Sequence, residues 1–258
     1  MVKNFRHPQR PKKSSMVIGQ AQVLQSMQEG NALDKIYLDV KATGNIVAAI
    51  RKIASELAVP INYVPAPKLN SMNAGEHDGC IALKSKVQYQ NLQDVISFTV
   101  ESGKTPLFLI LDGITDIRNI GGIARTAYCS GVDAIIIPDK GVGALNEDAM
   151  LTSAGALEKL PICRVNSLLK AVDLLHLNGV KVFATEMKGA VQISDADFSV
   201  PSAIIMGSED KGIYPALLKS CDEAIRIPMR SDFESLNVSV ATGMILYEVM
   251  KQRKWIFS

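Results

Sequence analysis

Apolar positions along the chain switch between a helical and a strand-like period, and the switching sets the expected architecture. Gly19–Gln28 has helical spacing, and Lys35–Asp39 reads as a strand. Ile46–Leu57 is expected to be a helix with Ile46, Ala49, Ile50 and Ile53 on one face, ended by Pro60. Ile61–Val64 and Gly79–Leu83 follow as strands, which makes a compact α/β unit of small-domain size. Val87–Thr105 is more polar and runs into Glu101-Ser-Gly-Lys-Thr-Pro106, the composition of a linker. Leu92, Val95 and Ile96 are helically spaced, so the linker is expected to hold a short helix. Leu107–Leu111 is a continuous apolar run suited to a strand buried on both faces. Further short runs at Ala134–Ile137, Val180–Phe183, Ala203–Met206 and Ala224–Ile227 are separated by helical patterns. Such alternation predicts a mostly parallel sheet covered by helices, with ligands beyond the carboxyl ends of its strands.

Composition narrows the class. The 258 residues are 47% hydrophobic and 21% charged, as in ordinary globular proteins, and no apolar run reaches bilayer-spanning length. The N-terminus is polar and basic, without the apolar core of a secretory signal, so a cytoplasmic location is the default. Cys80, Cys129, Cys163 and Cys221 are far apart and read as small buried apolar residues; with His7, His77 and His176 scattered, no metal site is expected. Net charge is only +2, but no acid occurs from Met1 to Gln28 while Lys3, Arg6, Arg10, Lys12 and Lys13 are basic. A solvated disordered tail and an arm attracted to a phosphate backbone are both consistent with that run.

Three motifs carry the candidate chemistry, each at the carboxyl end of an expected strand. In Asp112-Gly-Ile-Thr-Asp-Ile-Arg-Asn119-Ile-Gly121-Gly122-Ile-Ala-Arg125, a helix is expected to start near Asn119. The dinucleotide spacing G-x-G-x-x-G is absent, which leaves a glycine pair at a helix start, a place that favours anions. Arg125 falls roughly 9 Å further along, where it would serve equally well in a surface ion pair. In Met206-Gly207-Ser208-Glu209-Asp210-Lys211-Gly212, a buried strand runs directly into a glycine-rich turn. In Ile227-Pro228-Met229-Arg230-Ser231-Asp232-Phe233-Glu234-Ser235-Leu236-Asn237, a loop leads into a helix that Ser235 or Asn237 would cap. Val240, Met244 and Tyr247 then form an apolar stripe expected to be core or an interface between copies.

From Leu107 to Lys251 the chain resembles the SpoU (TrmH-type) RNA ribose 2′-O-methyltransferases, most specifically in Ser235-Leu-Asn-Val-Ser-Val-Ala following Gly207-Ser-Glu209. The resemblance implies a trefoil-knotted α/β methyltransferase domain, which is expected at 106–258. Before it would come a basic disordered arm at 1–14, a ribosomal-protein-like RNA substrate-binding domain at 15–87 and a linker at 88–105. Ser153–Leu168 and His77-Asp78-Gly79 are closest to the RlmB subgroup, which methylates a guanosine of large-subunit rRNA. Ile117 stands where that family usually has proline, and Asp210 and Ser231 where glycine is common. By resemblance, Asn119, Arg125, Glu209, Ser235 and Asn237 are the catalytic candidates. Met206, Gly207, Ile227, Met229 and Leu236 are candidates to meet S-adenosylmethionine, largely through backbone. The resemblance also implies RNA, large-subunit rRNA above all, as partner, and a homodimer whose interface includes helix Asn237–Arg253. The competing expectation is a non-catalytic RNA-binding protein that retains the fold.

Overall fold

The computed structural model describes residues 15–73, 75–230 and 235–254. The expected basic arm at 1–14, and Ser231 with its neighbours to Glu234, lie outside the described residues. The chain divides into two compact units between Lys86 and Val87.

The first unit runs β1 (Met16–Ile18), α1 (Gln20–Gln28), β2 (Leu33–Asp39), α2 (Asn45–Glu56), β3 (Ile61–Val64), α3 (Ala66–Met72) and β4 (Cys80–Lys84). Its sheet has the order β1-β4-β2-β3, with β3 parallel to β2 and the other pairs antiparallel. α1 and α2 bury Val23, Met27, Val47 and Ile50 against Ile36 and Leu38 of the sheet. The buried stripe of α2 is Val47, Ile50 and Ala54, while Ile46 is 41% exposed, so the helix is turned slightly from the expected face. Pro65 and Pro67 open α3, because proline is tolerated where helix N–H groups have no partner anyway.

The second unit runs α4 (Leu92–Glu101), β5 (Leu107–Asp112), α5 (Ile117–Cys129), β6 (Ala134–Pro138), α6 (Glu147–Thr152), α7 (Ala156–Lys159) and β7 (Ile162–Val165). It continues with α8 (Leu168–Leu177), β8 (Lys181–Thr185), β9 (Val191–Gln192), β10 (Ser202–Gly207), α9 (Pro215–Lys219), β11 (Glu223–Arg226) and α10 (Val238–Gln252). Seven parallel strands lie in the order β7-β6-β5-β10-β8-β11-β9. Strand side chains alternate between two cores, as a sheet covered on both faces requires. Leu107, Leu109, Leu111, Ile204 and Met206 pack with α5 and α10, whereas Phe108, Ile110, Ala203 and Ile205 pack with α4 and α8.

Four expectations change here. Residues 88–105 are not simply a linker: α4 is capped by Asn91 and buries Leu92, Val95 and Ile96 in the second core. α5 starts at Ile117, not Asn119, because Asp116 caps it by accepting from Arg118 N at 2.8 Å. That bond, with the Arg118 side chain, holds the Asp116 carboxyl below the usual range. Gly121 and Gly122 therefore lie inside the helix, where their N–H groups are not free for an anion. A β-carbon on Gly121 would overlap Thr152 Oγ1 and sit 3.0 Å from Ser153 N, so this glycine permits α5 to pack on α6. Finally, Cys129 is exposed; Cys80 and Cys163 are buried, and burial pushes their thiols, and that of half-buried Cys221, up to about 12.

At the amino edge of the sheet, Arg253 follows α10 and donates to four carbonyls: Phe198 (2.8 Å), Thr105 (2.7 Å), Pro106 (3.0 Å) and Val200 (2.9 Å). It thereby ties the end of α10 to the starts of β5 and β10. Hydrogen bonds of charged groups are worth about 1.5–3 kcal/mol each and are not additive. Arg253→Met is expected to lower stability by about 3 kcal/mol, read as a lower urea midpoint without a change in slope. An unchanged midpoint would show that water serves these carbonyls equally well.

Candidate active site

The register of β5 and β10 builds the site. Gly207 is level with Asp112, so the turns leaving the two strands start side by side, and Thr185 at the end of β8 lies one strand over. This is where the strand order reverses, since the chain runs outward from β5 through β6 and β7 and later returns to insert β10 between β5 and β8. The turn after β10 is tight: Ser208 and Gly212 bond each other's backbones, and Gly212 is left-handed at φ +65°. A β-carbon on Gly207 would overlap the Gly212 carbonyl carbon and approach Ile213 N to 2.6 Å. The glycine is thus required by the turn itself. Asp112 Oδ2 closes the arrangement by accepting from Tyr214 N at 2.7 Å.

Three of the five catalytic candidates meet at one oxygen. Glu209 Oε1 accepts from Asn237 Nδ2 (2.8 Å), Asn119 Nδ2 (3.2 Å) and Val238 N (3.2 Å). Asn237 Nδ2 also donates to Asn119 Oδ1 at 3.0 Å. Asn237 is the N-cap of α10: its Oδ1 accepts from Ser239 N (3.0 Å) and Val240 N (3.4 Å). The carboxylate therefore faces the amino end of a fifteen-residue helix, where the unpaired N–H groups favour negative charge. Of the two caps considered for α10, the structure uses Asn237.

Beside this junction lies a cavity of about 500 Å³, a volume within the range of small-molecule sites. All five cofactor candidates, Met206, Gly207, Ile227, Met229 and Leu236, line it, as do Glu209 and exposed Ser235. Its apolar wall includes Ile213, Leu218, Ile225 and Ile245. Arg125 is not among the lining residues; it stands exposed on α5, and its side chain makes no hydrogen bond or ion pair with the described residues. Motif reading missed Thr185–Lys188, which form one side of the cavity. Thr185 Oγ1 donates to Ile205 O at 2.8 Å, binding that side to β10. The signal for them was positional, at the carboxyl end of an expected strand, with nothing distinctive in residue type. Among the described residues no cluster of metal-ligand side chains occurs, and no helix is long and apolar enough to cross a membrane.

The apolar stripe of α10 is not core. Val240, Met244 and Tyr247 are 53%, 42% and 69% exposed, while Val238, Thr242, Ile245, Leu246 and Val249 face inward. The stripe was visible in the sequence, but its direction depends on which side of α10 meets α5.

A parallel α/β sheet with a ligand-sized cavity at its order reversal defines the fold, and comparison with known proteins specifies the family. Residues 106–247 match the SpoU rRNA Methylase family, and the chain belongs to that family. A Bacillus subtilis (strain 168) protein, YacO, assigned to the TrmH family of tRNA/rRNA methyltransferases, is 32% identical over 92% of this chain and 95% of its own. Among solved structures, the SpoU methyltransferase AviRb from Streptomyces viridochromogenes, in complex with the cofactor AdoMet, superposes with a TM-score of 0.59 at 22% identity. That match covers 93% of this chain and 90% of AviRb. An RNA 2′-O ribose methyltransferase gives a TM-score of 0.54 at 21% identity over 93% and 88% of the two chains. At such identities the likeness to the solved structures is one of fold.

The junction at Glu209 is testable by stability. Asn237→Ala removes a cap and is expected to cost about 1 kcal/mol or more. Asn237→Asp keeps the cap but sets a second carboxylate against Glu209. Two adjacent carboxylates raise one pKa, so this variant is expected to lose stability as pH rises above the ordinary carboxylate range. Thermal melts at pH 5 and pH 8 that shift equally for Asn237→Asp and wild type would contradict the contact.

Proposed function

We propose that the chain transfers a methyl group from S-adenosylmethionine to a ribose 2′-hydroxyl of RNA, with a guanosine of large-subunit rRNA as the target class. One observation carries this function: Asn119, Glu209 and Asn237, from three separate motifs, join at a single oxygen on the wall of a nucleoside-sized cavity. The named relatives that bind the cofactor or act on ribose support it, and so does the resemblance of Ser153–Leu168 to the rRNA-directed subgroup.

The residues present fit the cofactor. The cavity pairs an apolar wall with backbone at Gly207, Ile227 and Leu236, which suits a purine edge without special side chains. When bound, S-adenosylmethionine supplies a methyl group already activated by its sulfonium. The protein's part is then to align the attacking oxygen and assist loss of its proton. Through Oε1, which accepts from three donors, Glu209 positions Asn119 and Asn237, and with them the starts of α5 and α10. Ser235 borders the reacting end of the cavity. Arg125 holds an RNA phosphate and orients the 2′-hydroxyl; a guanidinium keeps its charge and presents a planar fork suited to phosphate.

The first unit serves as the RNA substrate-binding domain, and the protein works as a homodimer. The exposed stripe Val240, Met244 and Tyr247 is the surface for the second copy. α10 packs beside α5, with Gly243 against Thr126, so an interface on this stripe brings Arg125 close to it.

Labelled S-adenosylmethionine incubated with the protein and large-subunit rRNA is expected to leave a single ribose methylation, mapped as a site resistant to alkaline hydrolysis. Methyl groups found on bases would overturn the proposal, and absent cofactor binding by calorimetry would favour the binding-only alternative. Arg125→Lys is expected to reduce kcat at least tenfold with unchanged cofactor affinity, since lysine keeps charge but loses the fork; near-normal turnover would remove Arg125 from this role. Light scattering should give twice the chain mass for wild type and the single-chain mass for Tyr247→Glu with Met244→Glu, and a wild-type monomer at micromolar concentration would refute the dimer.

A further inference from the structure

The first unit carries an exposed aromatic platform that the active site does not use. β3 is the edge of its sheet, hydrogen-bonded to β2 alone. Tyr63 on this strand is 50% exposed, and the Arg51 guanidinium of α2 lies over its ring, 5.5 Å from the centroid. Arg51 Nη2 also reaches Ala42 O at 3.5 Å, which places the turn carrying Lys41 next to the pair. A tyrosine at the fringe of a core would be expected to bury its ring, yet here half of it faces solvent. Lys41, Arg51, Lys52 and Lys68 are the bases of this part of the chain; Glu56 lies among them, and Asp39 accepts from Lys41 N at 2.8 Å. All four basic side chains are exposed, and none forms an ion pair with the described residues.

We infer that Tyr63 and Arg51 form a stacking platform for an unpaired base of single-stranded RNA, with Lys41 contributing to attraction of the adjoining phosphates. Aromatic rings and guanidinium planes are the groups on which splayed bases stack, and stacking tolerates any base because each has a π-face. The cation packed on the ring fixes its orientation before RNA arrives, so little side-chain freedom is lost on binding. The edge strand gives a line along which an extended backbone can run beside the platform. The proposal rests on RNA being the substrate, and it names where the first unit grips it.

The test uses the full chain and a fluorescein-labelled oligouridylate 20-mer, followed by anisotropy. Tyr63→Ala is expected to weaken binding about tenfold, in line with the loss of one stacked base. Tyr63→Phe and Tyr63→Trp should stay within about twofold of wild type, because they keep the ring face. Arg51→Gln should weaken binding as well, with Tyr63 intact. Heparin, a polyanion without bases, should bind wild type and Tyr63→Ala equally, and cofactor affinity should not change. In turnover on rRNA, Tyr63→Ala should raise KM and leave kcat unchanged. The platform is overturned if Tyr63→Ala binds the oligomer like wild type, if it loses heparin affinity to the same extent, or if wild type has no affinity for oligouridylate. Methyl transfer to rRNA by wild type, measured alongside, separates these results from failure of the activity itself.

Discussion

β10 enters the sheet between β5 and β8, and the second unit is organised around that insertion. It hydrogen-bonds both neighbours in parallel, so its carboxyl end is held level with theirs. It also contributes to both cores at once, with Ile204 and Met206 on one face and Ala203 and Ile205 on the other. Glu209 follows two residues beyond the strand. Its position is therefore set by a six-residue ladder buried on both sides, which is firmer support than a surface loop provides on its own.

From that position a single carboxylate oxygen connects three segments that are far apart in the chain. The pairings of Glu209 with Asn119 and Asn237 span 90 and 28 residues. The negative charge suits the amino end of α10, and the amides of Asn119 and Asn237 donate to the same oxygen. Close approach of α5 to its neighbours makes this possible: Gly121 admits Thr152, and Gly122 lies against Ser239. Two polar clusters hold opposite edges of the sheet. Glu209 and its partners occupy the carboxyl edge, and Arg253 clamps the amino edge through backbone carbonyls. A substitution at one edge can thus be read with little interference from the other.

Much of the second unit was legible from local pattern. Leu107–Leu111 and Ala203–Met206 are strands because a run of apolar residues suits a sheet covered on both faces, and both are found within a residue of the expected bounds. Asn237 was visible as a cap because a short polar side chain before an apolar helix has few better uses. Other features were misjudged for identifiable reasons. The helical spacing of Leu92, Val95 and Ile96 was legible within 88–105, but polar ends made the segment look like a linker and its place in the second core was not visible. The glycine pair of α5 looked like an anion site because Asp116, the true cap, lies one turn earlier than the helix was expected to begin. β1 and α3 went unread: one has three residues, and the other opens on prolines.

The sequence by itself determined the class of fold, the three polar motifs at strand ends and the family, because periodicity, capping and motif order are properties of neighbouring residues. It could not show that Asn119 and Asn237 bond the same oxygen of Glu209, that Thr185–Lys188 wall the cavity, or that Val240, Met244 and Tyr247 point outward. Those facts depend on strand order and on which face of α10 meets α5. Both are decided by long-range packing of two cores around β10, and no spacing within a single segment encodes them.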